Sequence, residues 1–242
     1  MNPKKLLSLS FLVCLMVFLS TSVYAQQVDV PKALEQSERS KAFAYLNSEI
    51  NKENEKRAGK IVLNQAKTET YSYTHEDGSV TSVNLNSITV RKQDEDKVRV
   101  NSDGTYSLLA PLTENTTDAS LLAIEDVITY QNGSTSGNRS NLIYYAQTVY
   151  GKWEYQRNTT TGFGVTGSMK TPSHTAPVSV SCAPSCTAGT PAPFTLLVEP
   201  SKSAGHVGGN TQLTFLAGGG GTLSFITRII MDVNGNYNIL SS

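Results

Sequence analysis

Val127–Tyr155 reads VITYQNGSTSGNRSNLIYYAQTVYGKWEY. Its first four residues are β-branched or aromatic and suit a strand, whereas ASLLAIED just before them is ambiguous between a helical turn and a strand. Residues 131–142, QNGSTSGNRSNL, are almost wholly Gly, Ser, Asn and Thr, a composition that predicts a polar loop. From Leu142 to Tyr155 the apolar and aromatic residues return as one long strand or two. On this reading, two β segments in the middle of the chain are parted by an exposed loop.

Strand signals recur on both sides. TETYSYT (68–74) and VTSVNLNSITV (80–90) flank Asp77-Gly78, and Lys97–Val100 and Thr105–Leu109 flank Asn101–Gly104. Asp-Gly between alternating β-formers predicts a hairpin in each case. Beyond Thr171 the runs PVSVSC, FTLLVE, TQLTFLA, TLSFITRIIM and NYNIL alternate with turns, among them Gly218–Gly221 and Asn234-Gly235. Strands so spaced, without helices between them, predict a mainly β fold: an antiparallel sandwich or barrel-like sheets. One N-terminal amphipathic helix is expected from about Pro31, with Leu34, Ala42, Phe43, Tyr45, Leu46 and Ile50 at helical spacing. After Ile50 the pattern is polar through Arg57, so its last turns are expected to fray or stand in solvent.

The chain opens with Lys4-Lys5, an apolar run from Leu6 to Leu19, and Val23-Tyr24-Ala25, the pattern of a cleaved secretory signal peptide over residues 1–25. The run is shorter than the roughly 20 apolar residues of a spanning helix. The expected organisation is therefore a signal (1–25), a helical segment (26–66), a β-rich region (67–165) and a low-charge Gly/Ser/Thr-rich β region (166–242), the last two forming one domain or two. Without its signal the chain has 18 basic and 20 acidic residues, which gives no basic surface for nucleic acid. No second apolar run approaches membrane-spanning length. The expected location is extracellular or cell-surface, with the periplasm as the alternative.

Loss of Cys14 with the signal leaves Cys182 and Cys186 in SCAPSCTAG. In an oxidising compartment this even pair predicts a disulfide staple. Zinc wants further ligands, and redox pairs favour CxxC at a helix N-terminus, so no metal or cofactor is expected.

Catalytic patterns are scarce. His75, His174 and His206 have no partner in sequence and read as solvated loop residues. There is no HExxH or GxSxG, and Gly162–Gly167 matches GxGxxG without the flanking strand, helix or later acid of a nucleotide site. Asp232–Asn236 suits a hairpin turn better than a calcium loop. Glu125 and Asp126 would face opposite ways on a strand, leaving no acid pair assigned. Alternating Ser, Thr and Val at 68–90 suits a soluble sheet better than barrel staves in a membrane. Asn115, Asn132, Asn138 and Asn158 begin N-x-S/T sequons, of which Asn132 and Asn138 would mark the exposed loop in a eukaryotic source.

The aromatic stretch offers the binding residues. If 149–157 is extended, Trp153, Tyr155 and Arg157 share one face, with Tyr150 beside them, and such rings with a guanidinium make a platform for a sugar. The alternative is that Trp153 and Tyr155 are core residues. The expected function is an exported, non-catalytic protein binding a glycan or extracellular protein. A secreted hydrolase with an unassigned acid pair, or a self-associating structural protein, are the alternatives.

Overall fold

A computed structural model describes residues 36–57, 63–109, 124–139, 143–158, 168–173, 178–198, 203–216 and 221–241. The signal segment, the helix start at Pro31, Asn115, Gly162–Gly167 and His174 lie outside them.

Strands β1 (Gln65–Thr74) and β2 (Val80–Arg91) form a hairpin around Asp77-Gly78, with Thr74 opposite Val80. Gly78 has φ 78°, a conformation that side chains resist. A 3-10 turn (Lys92–Lys97) leads to the hairpin of β3 (Val98–Val100) and β4 (Tyr106–Leu108) around Asn101–Gly104. Both hairpins stand where the Asp-Gly signals put them.

The polar stretch does not form a loop. Strand β5 runs unbroken from Ile124 to Arg139, and β6 from Ile143 to Asn158. With β7 (Ser179–Ala183) they complete a five-stranded antiparallel sheet in the order β1-β2-β5-β6-β7, so β5 is its central strand. Residues 127–138 pair with β2 on one side and with β6 on the other. Neighbours on both sides satisfy the backbone groups of β5, so it needs little β-propensity of its own. Its small side chains have a packing use. A Cβ on Gly133 would stand 2.6 Å from Ile229 Cδ1 of the opposing sheet.

The second sheet has the order β12-β11-β10-β8, with β9 also on β10. Its strands are β8 (Cys186–Ala188), β9 (Ala192–Leu197), β10 (Ala204–Phe215), β11 (Gly221–Asp232) and β12 (Tyr237–Ser241). β8 and β9 pair with successive halves of β10. His206 is a strand residue within β10, which corrects its reading as a loop residue. The β11–β12 turn has Gly235 at φ 76°, and Asp232 Oδ1 accepts from the N–H groups of Asn234 (2.8 Å) and Asn236 (2.9 Å).

The sheets pack face to face through β5 and β6 against β10 and β11. Val83, Leu85, Val149, Trp153 and Tyr155 meet Val207, Ile229, Met231 and Ile239 in one buried cluster. Helix α1 (Gln36–Arg57) adds Phe43, Leu46 and Ile50 and touches both β1 and β12. Its polar end is not idle. Asn54 Nδ2 donates to the Tyr237 carbonyl (2.8 Å), its Oδ1 accepts from the Tyr237 N–H (3.4 Å), and Arg57 lies 4.4 Å over the Tyr237 ring. The expected frayed end is instead held to the edge strand by its polar groups. Elsewhere the chain leaves β7 and enters β8, crossing between sheets, and the Cys182–Cys186 pair brackets that crossing with Cα atoms 5.8 Å apart.

A smaller core lies on the other side of the first sheet. Ile88, Val90, Ile128 and Tyr130 are covered there by Val98, Tyr106 and Leu108 of the β3–β4 flap that follows the 3-10 turn. β2 therefore buries Val83 and Leu85 inward but Ile88 and Val90 outward.

Candidate functional site

The strand register places alternate residues of the first sheet on its outer face. Above the flap they form rows across the strands. One row is Thr70, Asn84, Ser134, Thr148 and Ser179; the next is Ser72, Ser82, Ser136, Ala146 and Ser181. A third is Thr74, Val80, Asn138, Tyr144 and Ala183, and the row nearest the flap is Thr68, Asn86, Asn132 and Tyr150. None of these positions carries a charge. Neighbouring strands lie about 4.8 Å apart and same-face residues about 6.8 Å apart, so the face is a regular array of hydroxyls and amides. Cross-strand bonds orient some of them, with Thr70 Oγ1 donating to Asn84 Oδ1 and Ser72 Oγ meeting Ser82 Oγ, both at 2.8 Å.

The flap gives this face a wall. Thr105 and Tyr106 rise beside Thr68, Asn86, Ile88 and Asn132, bounding a hollow of about 260 Å³ whose edge Lys67 also lines. Tyr106 OH donates to the Gly151 carbonyl at 3.3 Å and its ring lies 5.0 Å from that of Tyr130. Asn132 is only 7% exposed, at the base of the hollow in the central strand, so it is not the exposed loop sequon expected. Asn138 is exposed at the far end of β5.

Ion pairs pin the flap. Glu95 Oε1 accepts from Lys152, Glu95 Oε2 from Lys92, and Glu154 accepts from Lys92 (3.2 Å) and Lys170 (3.3 Å). Partial burial would raise the Glu154 pKa, but the lysines overcome it and hold it down at about 2. Glu95 is also lowered, chiefly by its hydrogen bond from Lys152. Two carboxylates thus share lysines, yet both are held ionised, whereas a glycosidase acid needs a raised pKa.

Of the aromatic residues singled out by sequence, Tyr150 stands on the outer face and Trp153 and Tyr155 on the inner one. Trp153 is 0% exposed, Tyr155 2% and Tyr150 5%. Trp153, Tyr155 and Arg157 do share a face, but it is the inner face, opposite the second sheet. Arg157 pairs with Glu125 at 2.9 Å, and Arg91 also contacts that carboxylate. Asp126, on the other face, accepts from Gln156 Nε2 at 3.0 Å. The Trp153 and Tyr155 rings are core rather than platform, because β10 and β11 cover the side they share.

Histidine chemistry is limited too. His75 is buried, with Nε2 2.9 Å from Thr81 Oγ1 and its ring edge-on to Tyr73, which corrects its reading as solvated. His206 has its pKa lowered by burial and then by the nearby Arg228 charge. Among the described residues no group of three or more His, Cys, Asp or Glu side chains could hold a metal ion.

The signal for the outer face was present in sequence as alternating Ser, Thr and Asn at 68–90. Its continuation at 132–138 was hidden by the loop reading. Fold and site together define a two-sheet antiparallel β protein with an uncharged hydroxyl and amide face. Comparison of the chain with known protein families, curated proteins and solved structures finds no match among them.

Proposed function

We propose that the protein is an exported, non-catalytic extracellular or cell-surface protein that binds a glycan on the outer face of its first sheet. The observation that carries this is the charge-free array of Ser, Thr and Asn ending at the hollow under the flap. Sugar hydroxyls both donate and accept, and Ser, Thr and Asn side chains answer both roles. The absence of charge in the rows fits a neutral saccharide. A protein partner is less well matched, because protein hot spots favour Trp, Tyr and Arg anchors in desolvated pockets.

The test is retention on neutral polysaccharides. Wild-type protein should co-sediment with at least one of cellulose, chitin or starch, and still do so in about 1 M NaCl, where charge attractions are screened within about 3 Å. Asn84→Lys or Ser134→Lys should weaken retention at least about tenfold, a loss near 1.4 kcal/mol. Failure on every polysaccharide, or unchanged retention in both variants, would overturn the reading.

A further inference from the structure

A second cleft opens at one end of the sandwich, between the last turn of α1, the start of β1 and the β11–β12 turn, with a volume of about 230 Å³. One wall is the inner face of the first sheet, where Ser87, Thr89, Thr129 and Tyr155 line it. Their hydroxyls are linked: Thr89 Oγ1 to Thr129 Oγ1 at 2.9 Å, and Thr129 Oγ1 to Tyr155 OH at 3.0 Å. Directly across the strands from Ser87 stands Gln131, fully buried, with neither side-chain amide atom hydrogen-bonded. It continues the polar wall inward.

The rim has a different character. Lys56, Arg57 and Lys67 line the cleft, and among the described residues no carboxylate does. Their acidic partners stand behind them. Arg57 and Lys67 share the single carboxylate Glu69, at 3.0 and 2.7 Å, and Lys56 pairs with Glu53. Asp232, the one acid of β11, keeps its charge but turns its oxygens to the Asn234 and Asn236 donors of the turn. Three cations against the two carboxylates Glu53 and Glu69 leave a small positive excess at the mouth.

We propose that this cleft binds a small hydroxylated carboxylate, a single sugar acid. The carboxylate sits at the Arg57–Lys67 rim and the ring hydroxyls meet Ser87 and Thr89, the half-buried end of a hydroxyl chain that Thr129 and Tyr155 continue into the core. The cleft is of a size for a single such ring. This site shares Lys67 and Ser87 with the lining of the hollow under the flap, but it does not rest on the reading of the outer face.

The experiment is calorimetric titration of the purified protein with glucuronate, glucose and acetate. Glucose has the ring hydroxyls without the charge, and acetate the charge without the ring. Glucuronate should bind saturably and at least about tenfold tighter than either. Lys67→Gln and Thr89→Val should each weaken it at least about fivefold with the thermal midpoint little changed, while Ser134→Lys on the outer face leaves it intact. Equal binding of glucose or acetate, no saturable binding, or indifference to both cleft variants would each overturn the proposal.

Discussion

Trp153 of β6 donates its indole N–H to the Gly205 carbonyl of β10, 3.3 Å away on the opposite sheet. It is a tie between the two layers at a fully buried point, and it decides how the lone tryptophan reports on the protein. The expected emission is blue-shifted, resistant to iodide or acrylamide, and unmoved by saccharides. Trp153→Ala should cost about 3–5 kcal/mol in urea unfolding, because a large buried ring leaves a cavity. A red-shifted, readily quenched emission would contradict this packing.

Gly133 sits under Ile229 where the sheets approach, and a Cβ there would stand 2.6 and 2.7 Å from its Cδ1 and Cγ1. Gly133→Val should therefore destabilise by about 1–3 kcal/mol through overpacking. Ser134→Val, one residue along and facing out, should stay within about 0.5 kcal/mol. Urea midpoints of the two variants measure the difference directly.

Acid should release the flap before it unfolds the sandwich. Glu154 is held at about 2 against an ordinary 4.5, and Glu95 is lowered as well. Because these folded pKa values are depressed, their stabilisation is fully present above pH 4.5 and is lost as pH falls toward 2. Both groups are partly solvated, so the contribution is on the order of 1 kcal/mol. Hydrogen exchange between pH 5 and 2.5 should show protection falling first at Val98–Val100 and Tyr106–Leu108, after correction for intrinsic rates. A uniform loss across both sheets would count against it.

Asn54 closes an edge. Its amide bonds both backbone groups of Tyr237, so Asn54→Ala should cost about 1–2 kcal/mol. It should also make β12 more available for pairing with another chain, seen as concentration-dependent association in analytical ultracentrifugation. A monomeric variant of unchanged stability would show the clasp to be idle.

The cysteine pair closes a ring of few residues at the β7–β8 crossing. Replacing both by serine should cost no more than about 2 kcal/mol, as short loops carry little closure entropy. Reduction of the wild-type protein should lower the urea midpoint by the same small amount.

How much was legible in sequence depended on whether the signal was local. The β1–β2, β3–β4 and β11–β12 turns were, because Gly78, Gly104 and Gly235 need positive φ whatever surrounds them. The apolar face of α1 was legible for the same reason: Phe43, Leu46 and Ile50 share a helical period. What Asn54 and Arg57 would touch was not, because Tyr237 is remote in sequence.

By itself, then, the sequence determined the β-rich class and the turn positions, which depend on backbone chemistry within a few residues. Only the tertiary structure made QNGSTSGNR a central strand, because a polar segment gains its stability from the neighbours that pair with it on both sides. It also decided which face of the Trp153 strand is inside. Alternation says that Trp153, Tyr155 and Arg157 lie together, but whether water or another sheet covers them depends on β10 and β11, remote in sequence. The outer array of Ser, Thr and Asn emerged from the same pairing, which aligned residues from five separate strands.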